Sequence, residues 1–192
     1  MRSINSINII DNASDNKISR LIQTICKNSN CNYFYCKEIG KGNAIKLGIE
    51  KTREDLLFLD ADIENLDLFQ IDLMIRKFNL GYGLVKAAFR RSNGQSNSSF
   101  IIEELNKLLP DLRISRPTGG LYIIRRNILN QIDIPKSWSV DLSILIQSYL
   151  LGFSISEVDI GVIDDKERSK DSLNNSKLNL RQEINLWRSK NG

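Results

Sequence analysis

The sequence predicts an α/β fold, a mainly parallel sheet flanked by helices, and three observations predict it. Short β-branched or continuous apolar runs alternate with helical periodicity over about the first 90 residues, the pattern of strands joined through helices. Two of those runs end in acidic, turn-forming clusters, Asp11 to Asp15 and Asp60 to Asp62, both at strand C-termini and hence on one edge of the sheet. The 192-residue chain is 41% hydrophobic and 26% charged with 3 prolines and 11 glycines, which excludes collagen-like and wholly disordered readings.

The elements follow in order. Ile4 to Ile10 is a β-branched strand that runs into the Asp11–Asp15 loop. Ile18, Leu21, Ile22 and Ile25 fall at helical spacing behind Ser14 or Asp15 as N-cap. Tyr33 to Cys36 reads as a second strand. Gly40-Lys41-Gly42 opens a helix carrying Ala44, Ile45, Leu47, Gly48 and Ile49, and Leu56 to Leu59 is a buried-type strand. Residues 66 to 79 are helical and Leu84 to Phe89 is a strand. Ser92 to Ser99 is small, polar and loop-like, before a helix at 100 to 109. Gly119-Gly120 leads into the strand Leu121 to Ile124, Val140 to Leu150 is an apolar helix, and Ile155 to Ile160 is a strand. Asp164 to Lys177 reads as a polar loop, and a final amphipathic helix covers about 178 to 189. The predicted domain is 1–165, with 166–192 as polar loop and C-terminal helix.

Composition narrows the chemistry. No stretch reaches the 18 or so apolar residues of a membrane span, and the start lacks a signal-peptide core, so the cytoplasm is the expected location. Cys26, Cys31 and Cys36 are odd in number and wrongly spaced for a zinc knuckle, so ordinary reduced thiols are expected. The chain has no histidine, which removes Ser-His and Cys-His nucleophiles and leaves carboxylates, lysine, arginine or an oxygen-held metal. Net charge is +4, but Lys86 to Arg126 holds eight Lys/Arg against three acids, a local +5 that reads as an anion site or a solvated basic face. Aromatic residues are few and not interleaved with the basic segment, so nucleic acid is not an expected partner.

Two carboxylates one residue apart after a buried strand can hold one hard divalent cation while leaving room for water and substrate phosphates. Asp-x-Asp alone is common and also serves as a turn or cap. Its context is more specific. GKGNAIKLGIEKTREDLLFLDADI resembles the nucleotide-sugar core of GT-A fold glycosyltransferases, and INIIDNASDN resembles their second-strand segment at the nucleotide base. VKAAFRRS, RPTGGLYIIRRNIL and WSVDLSILIQSYLLGFSISEVDIGV then resemble, in order and spacing, blocks of the retaining glucosyl-3-phosphoglycerate synthases. The resemblance runs from about Ile7 to about Arg168.

That resemblance implies a GT-A-like, metal-dependent hexosyltransferase moving glucose from a nucleoside-diphosphate sugar such as UDP-glucose to a small anionic acceptor such as 3-phosphoglycerate. Asp11 and Ser14 would meet the uracil or ribose and Lys41 the nucleotide side. Asp60 and Asp62 would meet the sugar nucleotide and, with Asp165, the Mg²⁺ or Mn²⁺. Gly119 and Gly120 would lie by the donor sugar, with Asp141 as the acid facing it and Asp62 as its catalytic companion. Lys86, Arg90 and Arg91 would lie near a phosphorylated acceptor.

Each has a plainer structural counterpart: Lys41 as a helix-start lysine, Gly119-Gly120 as a turn, Asp141 as a cap, and Arg90 and Arg91 on alternate strand faces. The chain departs from the family in three places. The histidine metal ligand is replaced near Asp164 or Asp165, the Gly-Arg-Val-Thr acceptor loop by Asn97-Ser98-Ser99-Phe100, and the family's first strand and Pro-containing loop are missing. Alternative expectations are an inverting transferase acting on a polysaccharide or lipid, and a non-catalytic nucleotide-sugar-binding module. A homodimer is an open expectation.

Overall fold

The computed structural model describes residues 4–92, 98–164 and 170–191. Two compact units divide the chain: one comprises the residues up to Arg53 together with Ile134–Val140, the other Glu54–Asp133 and the chain from Asp141 onward.

In the first unit β1 (Asn8–Asn12) and β2 (Asn32–Cys36) pair in parallel, joined through helix α1 (Asn16–Asn28), and α2 (Lys41–Glu50) follows β2. Asp15 caps α1, its carboxylate accepting from the N–H groups of Lys17 and Ile18 at 2.9 Å each. The two glycines that open α2 are required by packing. A Cβ at Gly42 would collide with the carbonyl of Pro135, and Gly40, at φ +131°, lies under the carbonyl of Lys136.

The second unit holds β3 (Leu56–Phe58), α3 (Leu68–Asn79), β4 (Leu84–Arg91), α4 (Ser98–Leu108), β5 (Tyr122–Ile124), α5 (Arg126–Leu129), α6 (Val140–Leu150) from its second residue on, β6 (Ile155–Ile163) and α7 (Lys170–Asn191). Its four strands lie in the order β3-β5-β4-β6. Pair β1–β2 is parallel, as the alternating pattern of the first 90 residues predicts, and β4–β6 is parallel as well, while β5 is inserted antiparallel to both β3 and β4; β1 and β3, expected in one sheet, belong to two separate ones. Periodicity marks 121–124 as a strand but carries no information on its direction. Ile71, Met74 and Phe78 of α3 pack on Val85, Ala87 and Phe89 of β4 and on Leu121, Ile123, Ile160 and Ile163. Alternation along β4 therefore turns Lys86 to the opposite face. A bulge on β6, where Gly161 stands at φ +83°, shifts the pairing between Ala88 and Arg90.

Several boundaries depart from the expectations, among them the first strand, expected over Ile4–Ile10 and found at Asn8–Asn12, and the last, expected to end at Ile160 and found to end at Ile163. The four-residue helix α5 is a single turn, too short for a periodic signal. The Ser92–Ser99 loop falls mostly on residues 93–97, outside the described residues, and α4 begins at Ser98. The polar stretch expected as loop to Lys177 is helical from Lys170, because a helix anchored by buried Leu180 and Ile184 extends through polar residues at no packing cost.

Candidate active site

The carboxyl end of β3 and the amino end of antiparallel β5 coincide, and there the second unit gathers the residues with chemistry. Asp60 follows β3 and is half-buried. Gly120 precedes β5, and a Cβ on it would collide with both oxygens and the carboxyl carbon of Asp60, so the carboxylate is seated on bare backbone that only glycine provides. Gly119 lies against the Phe89 ring, a Cβ there falling 3.4 Å from Phe89 Cε1.

Tyr122 is the residue that sequence reading missed. It is 1% exposed and packs on Phe58 with ring centroids 5.0 Å apart. Its hydroxyl is pushed well above the ordinary tyrosine range, first by burial and then by the negative charges of Asp141 and Asp60, so it stays protonated at any working pH. Both carboxylates are thus close neighbours of one buried phenol. Asp141 is 4% exposed in the first turn of α6, whose residues 142, 144, 145 and 146 are each at most 1% exposed. A helix buried on every side holds its terminal acid rigidly. Nothing in the sequence singled out Tyr122, because a tyrosine in a β-type run reads as core.

Lys86 is also turned inward. It is 1% exposed, donates from Nζ to the Gly119 carbonyl at 2.8 Å, and lies 4.7 Å from the Tyr122 ring centroid. Arg90 is exposed, and Arg91 lies over the Phe89 ring at 5.9 Å. Arg116, which sequence reading counted only among the basic residues, lies over the same ring at 5.4 Å. Burial lowers its pKa, and the negative charge of Glu157 opposes that shift. Other cations of the basic segment are engaged structurally. Arg125 bonds Asp55 and the carbonyls of Tyr82 and Phe78, and Lys107 bonds Glu103 and Glu104.

Asp62 is half-buried in the loop after β3. That loop is tied to the end of β6: Glu64 N–H donates to the Asp164 carbonyl at 2.9 Å, and Asp164 N–H to Asn65 Oδ1 at 2.8 Å. Asp165 lies outside the described residues. Among the described residues no group of three His, Cys, Asp or Glu side chains could hold a metal ion.

The first unit holds the remaining predicted residues. Asp11, next to last in β1, is 2% exposed and accepts from Ser14 N–H, Ser19 Oγ and Tyr33 Oη. Burial alone would raise its pKa, but the hydrogen bonds from Ser14, Ser19 and Tyr33 outweigh it and hold the carboxyl at about 2. Ser14 is half-buried in the loop that Asp11 shapes, and Lys41 is the first residue of α2.

The sequence pattern of glycosyl transferase family 2 matches residues 5–148. The chain belongs to the glycosyl transferase family 2. No curated protein sequence matches it. Among solved structures, one described only as a mycobacterial protein matches with a TM-score of 0.85 and 20% identity, covering 96% of this chain and 65% of that one. Glucosyl-3-phosphoglycerate synthase from Mycobacterium tuberculosis, solved with phosphoglyceric acid, matches with a TM-score of 0.84 and 20% identity, over 96% of this chain and 69% of that one. The same enzyme solved with Mn²⁺, UDP-glucose and phosphoglyceric acid matches with a TM-score of 0.83 and 19% identity, again over 96% and 69%.

This family 2 glycosyl transferase therefore has a GT-A-like fold and spans about two thirds of the length of the structures it matches. No helix among its described residues is long and apolar enough to cross a membrane.

Proposed function

We propose that the chain transfers a hexose, glucose by its resemblance, from a nucleoside-diphosphate sugar to a small anionic acceptor such as 3-phosphoglycerate, with Mg²⁺ or Mn²⁺. One observation carries the reading: Asp60 is seated on the bare backbone of Gly120 and shares the buried neighbour Tyr122 with Asp141. The matched synthase, solved with UDP-glucose, Mn²⁺ and phosphoglyceric acid, supports the choice of ligands.

The residues present fit the cation. Asp60 and Asp62 offer hard carboxylate oxygens one residue apart, and ions of this kind bind one or two carboxylates while water and substrate phosphates complete the shell. When bound it would neutralise charge on the departing diphosphate. Asp141, fixed in the first turn of α6, faces the sugar and stabilises positive charge at the anomeric carbon as the bond to the diphosphate breaks. Ser14, in the loop ordered by Asp11, and Lys41 at the start of α2 serve the nucleotide. Arg91 and Arg116, which share the Phe89 platform beside Gly119, supply cations for the acceptor, while Arg90, next along β4, lies on the opposite face.

The test is release of the nucleoside diphosphate, UDP or GDP, from UDP-glucose and GDP-glucose with Mn²⁺ or Mg²⁺, with and without 3-phosphoglycerate. Acceptor-dependent release is expected, falling at least about 100-fold in Asp141→Asn, the scale of losing one preorganised electrostatic group. Acceptor-dependent release at an undiminished rate in that variant would overturn the role given to Asp141. No release from either donor would overturn the transferase reading.

A further inference from the structure

Phe58, Tyr122, Lys86 and Glu157 are successive cross-strand partners on β3, β5, β4 and β6, and so share one face of the sheet. The last two grip the same loop. Glu157 accepts from the N–H groups of Ser115 and Arg116 at 2.7 and 2.8 Å, and Lys86 donates to the Gly119 carbonyl at 2.8 Å. The Ser115–Gly120 loop is therefore held by an anion where it begins and by a cation where it ends.

Each hold is chemically specific. An ammonium buried to 1% exposure is costly unless it is solvated by the protein, and the Gly119 carbonyl and the Tyr122 ring face do that. A carboxylate taking two successive backbone N–H groups makes a pair of charge-assisted hydrogen bonds. The loop needs both, because Gly120 offers Asp60 a close seat but has no side chain with which to fix its own position. Lys86, so enclosed, is in no position to meet an acceptor directly.

We propose that Lys86 and Glu157 are positioning residues that clamp the Ser115–Gly120 loop so that Gly120 holds the Asp60 carboxylate in its cation-binding orientation. This rests on the glycosyltransferase reading above. The clamp acts through Asp60, and its loss should weaken the contribution of the cation to nucleotide binding while leaving metal-free nucleotide binding intact.

The test uses the full chain and three variants. Lys86→Met and Glu157→Leu each remove one hold, and Glu157→Gln keeps an acceptor oxygen. Amide hydrogen exchange without ligand should quicken about tenfold at residues 115–121 in the first two, with no change in Val140–Leu150, and by less in Glu157→Gln, which keeps one of the two acceptor oxygens. Titration with UDP should show those two variants keeping their metal-free affinity while losing roughly 10-fold or more of the gain given by Mn²⁺, the usual cost of removing an outer-shell support.

Unchanged loop exchange, or acceleration spread evenly over the chain, overturns the proposal, as does an intact Mn²⁺ gain. If Lys86→Met does not fold, Glu157→Leu, at a half-exposed position, gives the same readings. A wild-type chain that gains nothing from Mn²⁺ overturns the cation-assisted reading of the site and the clamp's purpose together, a result visible without any variant.

Discussion

Asp11 carries a measurable share of stability. Its carboxyl titrates at about 2 in the folded chain against 3.8 ordinarily. The folded value is the lower one, so the contribution is fully present above pH 4 and is lost as pH falls toward 2, and it amounts to about 2 kcal/mol. Asp11→Asn should cost about that much in urea unfolding at pH 7 and should remove the loss seen in wild type between roughly pH 4 and pH 2. Equal acid sensitivity in both proteins would contradict this account of Asp11. At Gly120 the expected effect is steric. Gly120→Ala forces the Asp60 carboxylate, the movable end of its side chain, from its seat and should abolish the Mn²⁺-dependent part of UDP binding. Undiminished Mn²⁺-dependent binding in that variant would show that Asp60 does not depend on the seat. The sequence showed Asp11 and Gly120 as candidates but not what holds them, since Ser19, Tyr33 and Asp60 reach them through folding and not through spacing along the chain.

Among the elements, α3 is closed by a full capping box: Asp67 Oδ1 accepts from Gln70 N–H and Gln70 Oε1 from Asp67 N–H, both at 2.9 Å. Asp67→Ala should cost about 1 kcal/mol, which is about 2 to 4 °C in Tm for a chain of this size, with the nucleotide site unaffected. A thermal scan with no change would show that the cap is redundant. The strands and most helices were legible because burial imposes a period: α6 was read at Val140–Leu150 and is found there. The direction of β5, the bulge at Gly161 and the first turns of α7 were not, because each is decided by tertiary partners that leave no mark on local periodicity.

Taken over the whole molecule, the +5 segment resolves differently from its sum. Lys86, Lys107 and Arg125 are engaged within the fold, and Arg91 and Arg116 lie on one aromatic ring. Charge summed along a sequence locates the region but cannot separate a buried cation from an accessible one. Five separate blocks in family order identified the fold where any one of them alone would not, and the family match and the likeness over 96% of the chain agree with that reading.

The central claim, a cation-assisted nucleotide-sugar site at Asp60 and Asp62, is most directly tested by thermal unfolding with UDP or GDP, with and without Mn²⁺, in wild type and Asp62→Ala. A nucleotide at 100 times its Kd adds about 2.7 kcal/mol, or about 5 to 10 °C. A shift that requires Mn²⁺ and is lost in Asp62→Ala is the predicted result. No shift with either nucleotide in a cooperatively melting wild type, or an equal shift in Asp62→Ala, would contradict it.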